Sequence, residues 1–272
     1  MKVSTIVLSL ALATGGLSAF GKGTLIFDGK SLDGWHHQES FENDKYAAQS
    51  GNFFAKDGAL HCFQLPDKKG ALLLSDGKYG DFELTMEIKA DWGCDSGIFL
   101  RCNEKGQGIQ ILNDYLKNGS VGFIFGQGTG GYISRPILLN EVDGVVKAKD
   151  VYDAVEKEGL IYAIDAKGWN KTWKVDDWNK IKIRCVGTAP HITTWINGVK
   201  IMELDGSTYS APSLRSKNSG NWDAKSAWDS EKVQAITGNK GSIAFQVHPG
   251  GRWKKGGSSM YRNIRIKDLT TD

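Results

Sequence analysis

The stretch Gly80 to Asp114, GDFELTMEIKADWGCDSGIFLRCNEKGQGIQILND, restricts the fold more than any other part of the chain. Phe82, Leu84, Met86 and Ile88 alternate with Asp81, Glu83, Thr85 and Glu87. A period of two places one set on each face of a half-buried strand. A Gly/Asp/Ser break at Trp92 to Ser96 leads into a second strand, Gly97 to Arg101, and a glycine-marked break leads into a third, Ile109 to Asn113. Within these apolar strands stand Arg101, Gln110 and Asn113. Each needs a partner, another side chain or a ligand in a groove, because an unpaired buried polar group costs roughly 1–3 kcal/mol.

The rest of the chain follows the same pattern. Asn179 to Val186 alternates, with Ile181, Ile183 and Cys185 on one side. Asn197-Gly198, between Ile192 and Leu204, is the strongest short hairpin signal, since both turn positions take positive φ. Asp57-Gly58 marks another hairpin, and Gly241 to His248 with Met260 to Leu269 close the chain as strands. Lys147 to Glu158 is the best helical candidate, with Val151 and Val155 four apart. With 34 glycines and 5 prolines in 272 residues, tight turns joining strands are expected, and no linker divides the chain. The fold class expected is all-β, a two-sheet antiparallel jelly-roll sandwich.

Met1-Lys2 followed by the apolar run Val3 to Ala13, with small residues at Ser18 and Ala19, resembles a secretory signal peptide. The expected division is residues 1–20 as signal and 21–272 as one domain, exported to a periplasm or the outside. The run is too short to span a membrane. Basic and acidic residues, 34 and 31, are scattered without a basic block, which argues against a nucleic-acid partner. Cys62, Cys94, Cys102 and Cys185 allow three pairings. Cys94 and Cys102 flank one strand and would lie ~26 Å apart if it were extended, so buried free thiols are expected.

Parity selects the candidate site. Ile243, Phe245 and Val247 share one side of the late strand, leaving Gln246 and His248 on the other. The same test on Ile98 and Leu100 sets Phe99 and Arg101 opposite them. A groove bearing arginine, glutamine and histidine follows if these faces coincide; a solvated outer sheet face is the plainer alternative. Trp92, Trp222, Trp228 and Trp253 lie in expected loops, where aromatic faces suit stacking on sugars, whereas Trp195 lies in a strand. Asp95, Asp114, Glu83 and Glu87 are the carboxylates placed to act as acid or base. Paired glycosidase carboxylates are missing: Glu141-Val-Asp143 begins a Glu-x-Asp-x-x-Glu strand but meets Val146. Neither a Gly-x-Ser-x-Gly nor a His-Glu-x-x-His motif occurs.

Taken in order, LIFDGKSLDGW (25–35), YGDFEL (79–84), DSGIFLR (95–101), GIQILND (108–114), WNKIKI (178–183), WINGV (195–199), GSIAFQVH (241–248) and YRNIRI (261–266) resemble the 3-keto-disaccharide hydrolase domain family. The resemblance implies a concanavalin A-like lectin/glucanase fold whose concave face takes carbohydrate, and cleavage of glycosides oxidised at carbon 3. A carbon-3 ketone acidifies the carbon-2 hydrogen, so one base, an enolate stabiliser and help for the leaving group suffice. It implies His248 as base or metal ligand, Arg101 and Gln110 holding the enolate or hydroxyls, and Asp95 or Asp114 assisting. Asn113, Gln246, Trp92, Trp222 and Trp253 are the accompanying substrate-binding candidates. A divalent metal is compatible with the resemblance but not specified by the residues. Relatives often carry a carboxylate two residues before the matched glutamine, where this chain has Gly108. A non-catalytic carbohydrate-binding module of the same shape is therefore the alternative, and a structural surface protein the third.

Overall fold

The computed structural model describes residues 23–39, 44–49, 51–151, 159–210 and 227–270. The signal-like segment 1–20 and Trp222 lie outside the described residues. The early strands are β1 (Thr24–Leu25), β2 (Trp35–His37), β3 (Phe53–Lys56), β4 (Ala59–Phe63), β5 (Ala71–Ser75) and β6 (Phe82–Ala90). Then come β7 (Cys94–Cys102), β8 (Gly108–Tyr115), β9 (Val121–Gln127), β10 (Ile133–Ser134), β11 (Ile137–Val142) and β12 (Val145–Asp150). The last are β13 (Tyr162–Ala163), β14 (Asn179–Val186), β15 (His191–Ile196), β16 (Val199–Asp205), β17 (Ser242–Val247) and β18 (Ser258–Asp268).

These strands form two large antiparallel sheets and one small hairpin. A nine-stranded sheet runs β13-β16-β15-β14-β6-β18-β4-β3 with β1 beside β18, and a seven-stranded sheet runs β10-β9-β8-β7-β17-β5-β2. Their inner faces meet in one core. The alternation in β6 does what its period requires: Phe82, Leu84, Met86 and Ile88 are fully buried, while the residues between them are half-buried. Each such large apolar side chain contributes about 1.5–3 kcal/mol when removed from water. Asn197 and Gly198 both take positive φ in the turn from β15 to β16, and Asp57 and Gly58 do so between β3 and β4.

Two expectations change. Lys147 to Asp150 belong to β12, paired with β11, rather than to a helix, and 152–158 lie outside the described residues. The valines four apart could not outweigh a hairpin closed by Asp143 and Gly144, both at positive φ. The second strand of the opening stretch also begins earlier than its glycine suggests, at Cys94. All four cysteines are buried and free. No helix among the described residues is long and apolar enough to cross a membrane.

The seven-stranded sheet differs from the nine-stranded one. Every residue of β7, β8 and β17 is buried. Chain segments lie over its outer face as well as its inner one, and this second covering creates the site.

Candidate active site

β17, β7 and β8 are consecutive neighbours, and their register sets the outer face. Gln246 pairs with Gly97, Asp95 with Asp114, and Gln110 with Phe125 of β9. Successive side chains alternate, so Asp95, Gln110, Leu112, Asp114 and Gln246 point away from the core. They line a cavity of about 210 Å3. Phe125, Gln127 and Ile133 complete one wall, and Arg135, His248 and Arg252 reach in from strand ends and loops.

Gly97 makes the middle of this face possible. A Cβ there would lie 2.0 Å from Gln110 Nε2. In its absence Gln110 lies across β7 and donates from Nε2 to Gln246 Oε1 at 2.9 Å. Gln246 Nε2 in turn donates to the Tyr46 hydroxyl at 3.0 Å. These two bonds orient both amides. Burial is the main force pushing the Tyr46 phenol up to about 12, so it stays neutral as acceptor. Its ring is seated over Gly70, where a Cβ would meet both Tyr46 and Pro249.

At the other end of the pocket two carboxyls face each other. Asp95 is held by Arg252 Nε, and the Arg252 carbonyl accepts from the Asp95 N–H at 3.1 Å. Asp114 is pushed well above the usual carboxylate range, first by burial and then by the charge and hydrogen bond of Asp95. Two buried carboxyls this close do not both ionise. Arg252 pairs with Asp95, and Asp114 is the carboxyl whose hold on its proton is strengthened. Asp114 Oδ1 has no hydrogen-bond partner among the described residues.

His248 stands beside this pair. Its backbone N–H donates to the Asp95 carbonyl at 3.2 Å. Its Nδ1 lies 2.7 Å from the Pro249 carbonyl and 4.0 Å from the Asp95 carboxylate. A carbonyl can only accept, so Nδ1 carries the hydrogen, and in the neutral ring the lone pair is then on Nε2. Gln64 Nε2 clamps the turn from outside, donating to the carbonyls of His248 at 2.7 Å and Gly250 at 3.0 Å.

The structure thus brings together His248, Asp95, Asp114, Gln110 and Gln246. Other expected members are elsewhere. Arg101 is fully buried at the far end of β7, its guanidinium bonded to the Gly80 carbonyl, the Gly187 carbonyl and the Asp81 carboxylate. Parity failed because the β7–β17 pairing slips near Ser242 and Ala244 and Arg101 itself takes a φ of 50°. Asn113 faces the core, donating to Ser259 Oγ at 3.0 Å and the Tyr261 hydroxyl at 2.9 Å. Trp92 packs edge-on against Tyr115, and Trp253 is buried with its indole N–H on the Gly257 carbonyl. Trp228 is likewise buried, against Tyr132 and Tyr209. These loop tryptophans therefore anchor loops to the core.

Several lining residues escaped the sequence reading. Arg252 and Arg135 lie outside the regular strands, where period carries no information, and Tyr46 belongs to a short covering segment. Gln127 and Phe125 share the outer face of β9 and were accessible to the parity test applied to β17. Among the described residues, no group of three His, Cys, Asp or Glu side chains stands ready to hold a metal ion. Arg252 already occupies Asp95, so the divalent ion left open by the resemblance finds no fitting donor set here.

The fold and this covered polar face define an antiparallel β-sandwich with a polar-lined pocket of about 210 Å3 on one sheet. The chain belongs to the 3-keto-alpha-glucoside-1,2-lyase-like domain family, whose model matches residues 22–267. No curated protein matches it. Among solved structures it is similar to a candidate glycosyl hydrolase from Parabacteroides distasonis, at 20% identity and a TM-score of 0.48, covering 92% of this chain and 100% of that one. It is also similar to carbohydrate-binding module CBM66 from Bacillus subtilis, at 8% identity and a TM-score of 0.41, covering 86% and 96%. A beta-1,3-glucanase from Mycobacterium marinum is similar at 13% identity and a TM-score of 0.44, covering 91% and 100%. None of these likenesses carries a substrate over to this chain.

Proposed function

We propose that the chain cleaves 3-keto-glycosides by proton abstraction at carbon 2, in the pocket on the seven-stranded sheet. The observation that carries this reading is that one pocket is lined both by Asp114, whose carboxyl burial pushes above the usual carboxylate range, and by His248, whose Nδ1 is held by the Pro249 carbonyl. In this scheme His248 Nε2 takes the carbon-2 proton, and the electron pair passes through the enolate to expel the oxygen on carbon 1. Asp114 supplies the proton that the departing oxygen needs. Water then adds to carbon 1 of the unsaturated ketone, giving its proton to the Asp114 carboxylate, and His248 returns its proton to carbon 2. Arg135 places positive charge at the wall as the enolate forms, which favours the anion, while Arg252 holds Asp95. Membership of the lyase-like family supports the same chemistry.

One observation favours a second reading, sugar binding without turnover. Gly108 leaves the outer face bare where relatives often carry a carboxylate, opposite Gln127. Incubation with 3-keto-trehalose and 3-keto-sucrose separates the two. Released monosaccharide is expected, with His248→Ala slower by about a hundredfold, within the general-base range of roughly 10²–10⁴. Binding without release would establish the module instead, and an unaffected His248→Ala rate would remove that residue from the chemistry.

A further inference from the structure

We infer that the pocket recognises one sugar ring, the oxidised one, and leaves the group attached to carbon 1 outside, so that the protein selects its substrate by the glycone and tolerates varied leaving groups. This rests on the proposed carbohydrate reading and specifies which part of the substrate is enclosed.

Size is the first reason. The cavity of about 210 Å3 lies below the roughly 300–1,000 Å3 of sites that surround drug-sized ligands. One pyranose ring with its hydroxyls fits that space, and a disaccharide has about twice as many atoms.

The second reason is the way polarity is divided around the cavity. Leu112, Phe125 and Ile133 form an apolar wall, and of these only Phe125 is left partly exposed. The amides of Gln110 and Gln246, already oriented by one another and by Tyr46, stand in the same cavity. A pyranose chair has a C–H face for the aromatic wall and a rim of hydroxyls for oriented amides. Such complementarity serves a single ring. Of the tryptophans expected to stack on sugar, those among the described residues are withdrawn: Trp253 and Trp228 are buried, and Trp92 packs on Tyr115.

The experiment compares equilibrium binding of 3-keto-glucose, 3-keto-trehalose and 3-keto-sucrose to the full chain carrying His248→Ala, with cleavage measured in parallel on the wild type. Affinities within about threefold of each other are expected. Phe125→Ala should weaken the monosaccharide and both disaccharides by the same factor, about tenfold. Ile133→Trp, which fills the space, should weaken all three at least as much, and circular dichroism of both variants establishes that they fold. Disaccharides bound thirtyfold or more tighter than 3-keto-glucose would overturn the inference by revealing a second ring site. Cleavage without monosaccharide binding would overturn it while leaving the chemistry intact. Monosaccharide binding without cleavage would uphold it and sink the proposed reaction. Failure of all three sugars to bind, with no cleavage, would overturn both.

Discussion

The outer faces of the two sheets carry similar residue types in opposite circumstances. On the nine-stranded sheet, Glu83 lies 3.9 Å from both Lys182 and Arg184, in contact with water. The Lys182 ammonium sits 3.9 Å over the Trp195 ring, and the Arg262 guanidinium 4.1 Å over Trp178. These cations cover aromatic surface that a sugar would otherwise need. On the seven-stranded sheet, Asp95, Asp114, Gln110 and Gln246 are nearly as buried as the core. Bulk water screens them little there, so each must be paired, neutralised or offered to what enters the pocket. Surface charges in the first setting tune solubility; polar groups in the second acquire altered chemistry.

The comparison breaks most readily at Arg101, a buried charge that belongs to neither outer face. Arg101→Ala strands Asp81 and the carbonyls of Gly80 and Gly187, and should cost about 3 kcal/mol, the lower end for breaking a buried ion pair. Urea unfolding measures it. A variant of undiminished stability that had lost only turnover would return Arg101 to the catalytic group.

Asp114 sharpens the contrast through pH. Its folded-state affinity for the proton is raised, chiefly by burial, while the unfolded carboxyl titrates near an ordinary ~3.9. Above that pH the unfolded chain releases a proton that the folded chain keeps, so stability falls as pH rises toward the folded value. Asp114→Asn removes this slope. Thermal unfolding from pH 4 upward should show the wild type losing ground to the variant, and parallel curves would show that the two carboxyls do not share a proton.

The smallest effect belongs to the wet face. Glu83→Gln should change stability by less than about 0.5 kcal/mol, since exposed pairs contribute little. A loss above 1 kcal/mol would show that this face is more tightly coupled than its exposure implies.

The same contrast explains what could be read from the chain. β6 and β14 have one wet side, so their alternation survives in the letters, and with it the sandwich. β7 and β8 are covered on both sides, which replaces alternation by a mixture of Ile, Phe, Leu, Gln and Asn whose facing must be inferred by counting. Counting set Gln246 on the outer face, where it lies in regular register; Gln110, Asp95 and Asp114, picked out by residue type alone, lie on the same face. Counting failed at Arg101, where a slipped register and a left-handed φ redirect the side chain, and Asn113, expected to bind substrate, faces the core because inward and outward polar groups look alike in sequence. Trp92 and Trp253 misled for another reason: a loop tryptophan marks an anchor as readily as a ligand platform. Arg135, Arg252 and Tyr46 come from segments without period, and only tertiary contact reveals them.

The four unpaired thiols have a practical consequence. Cys62, Cys94, Cys102 and Cys185 are all enclosed, and burial raises the pKa of every one, which suppresses the reactive thiolate. The sandwich therefore needs no oxidant to hold its shape, and a thiol-directed reagent in the buffer meets no exposed cysteine until the sheets part. Distributed over β4, β7 and β14, those sulfurs act as a built-in clock for opening, readable by mass spectrometry without any introduced label.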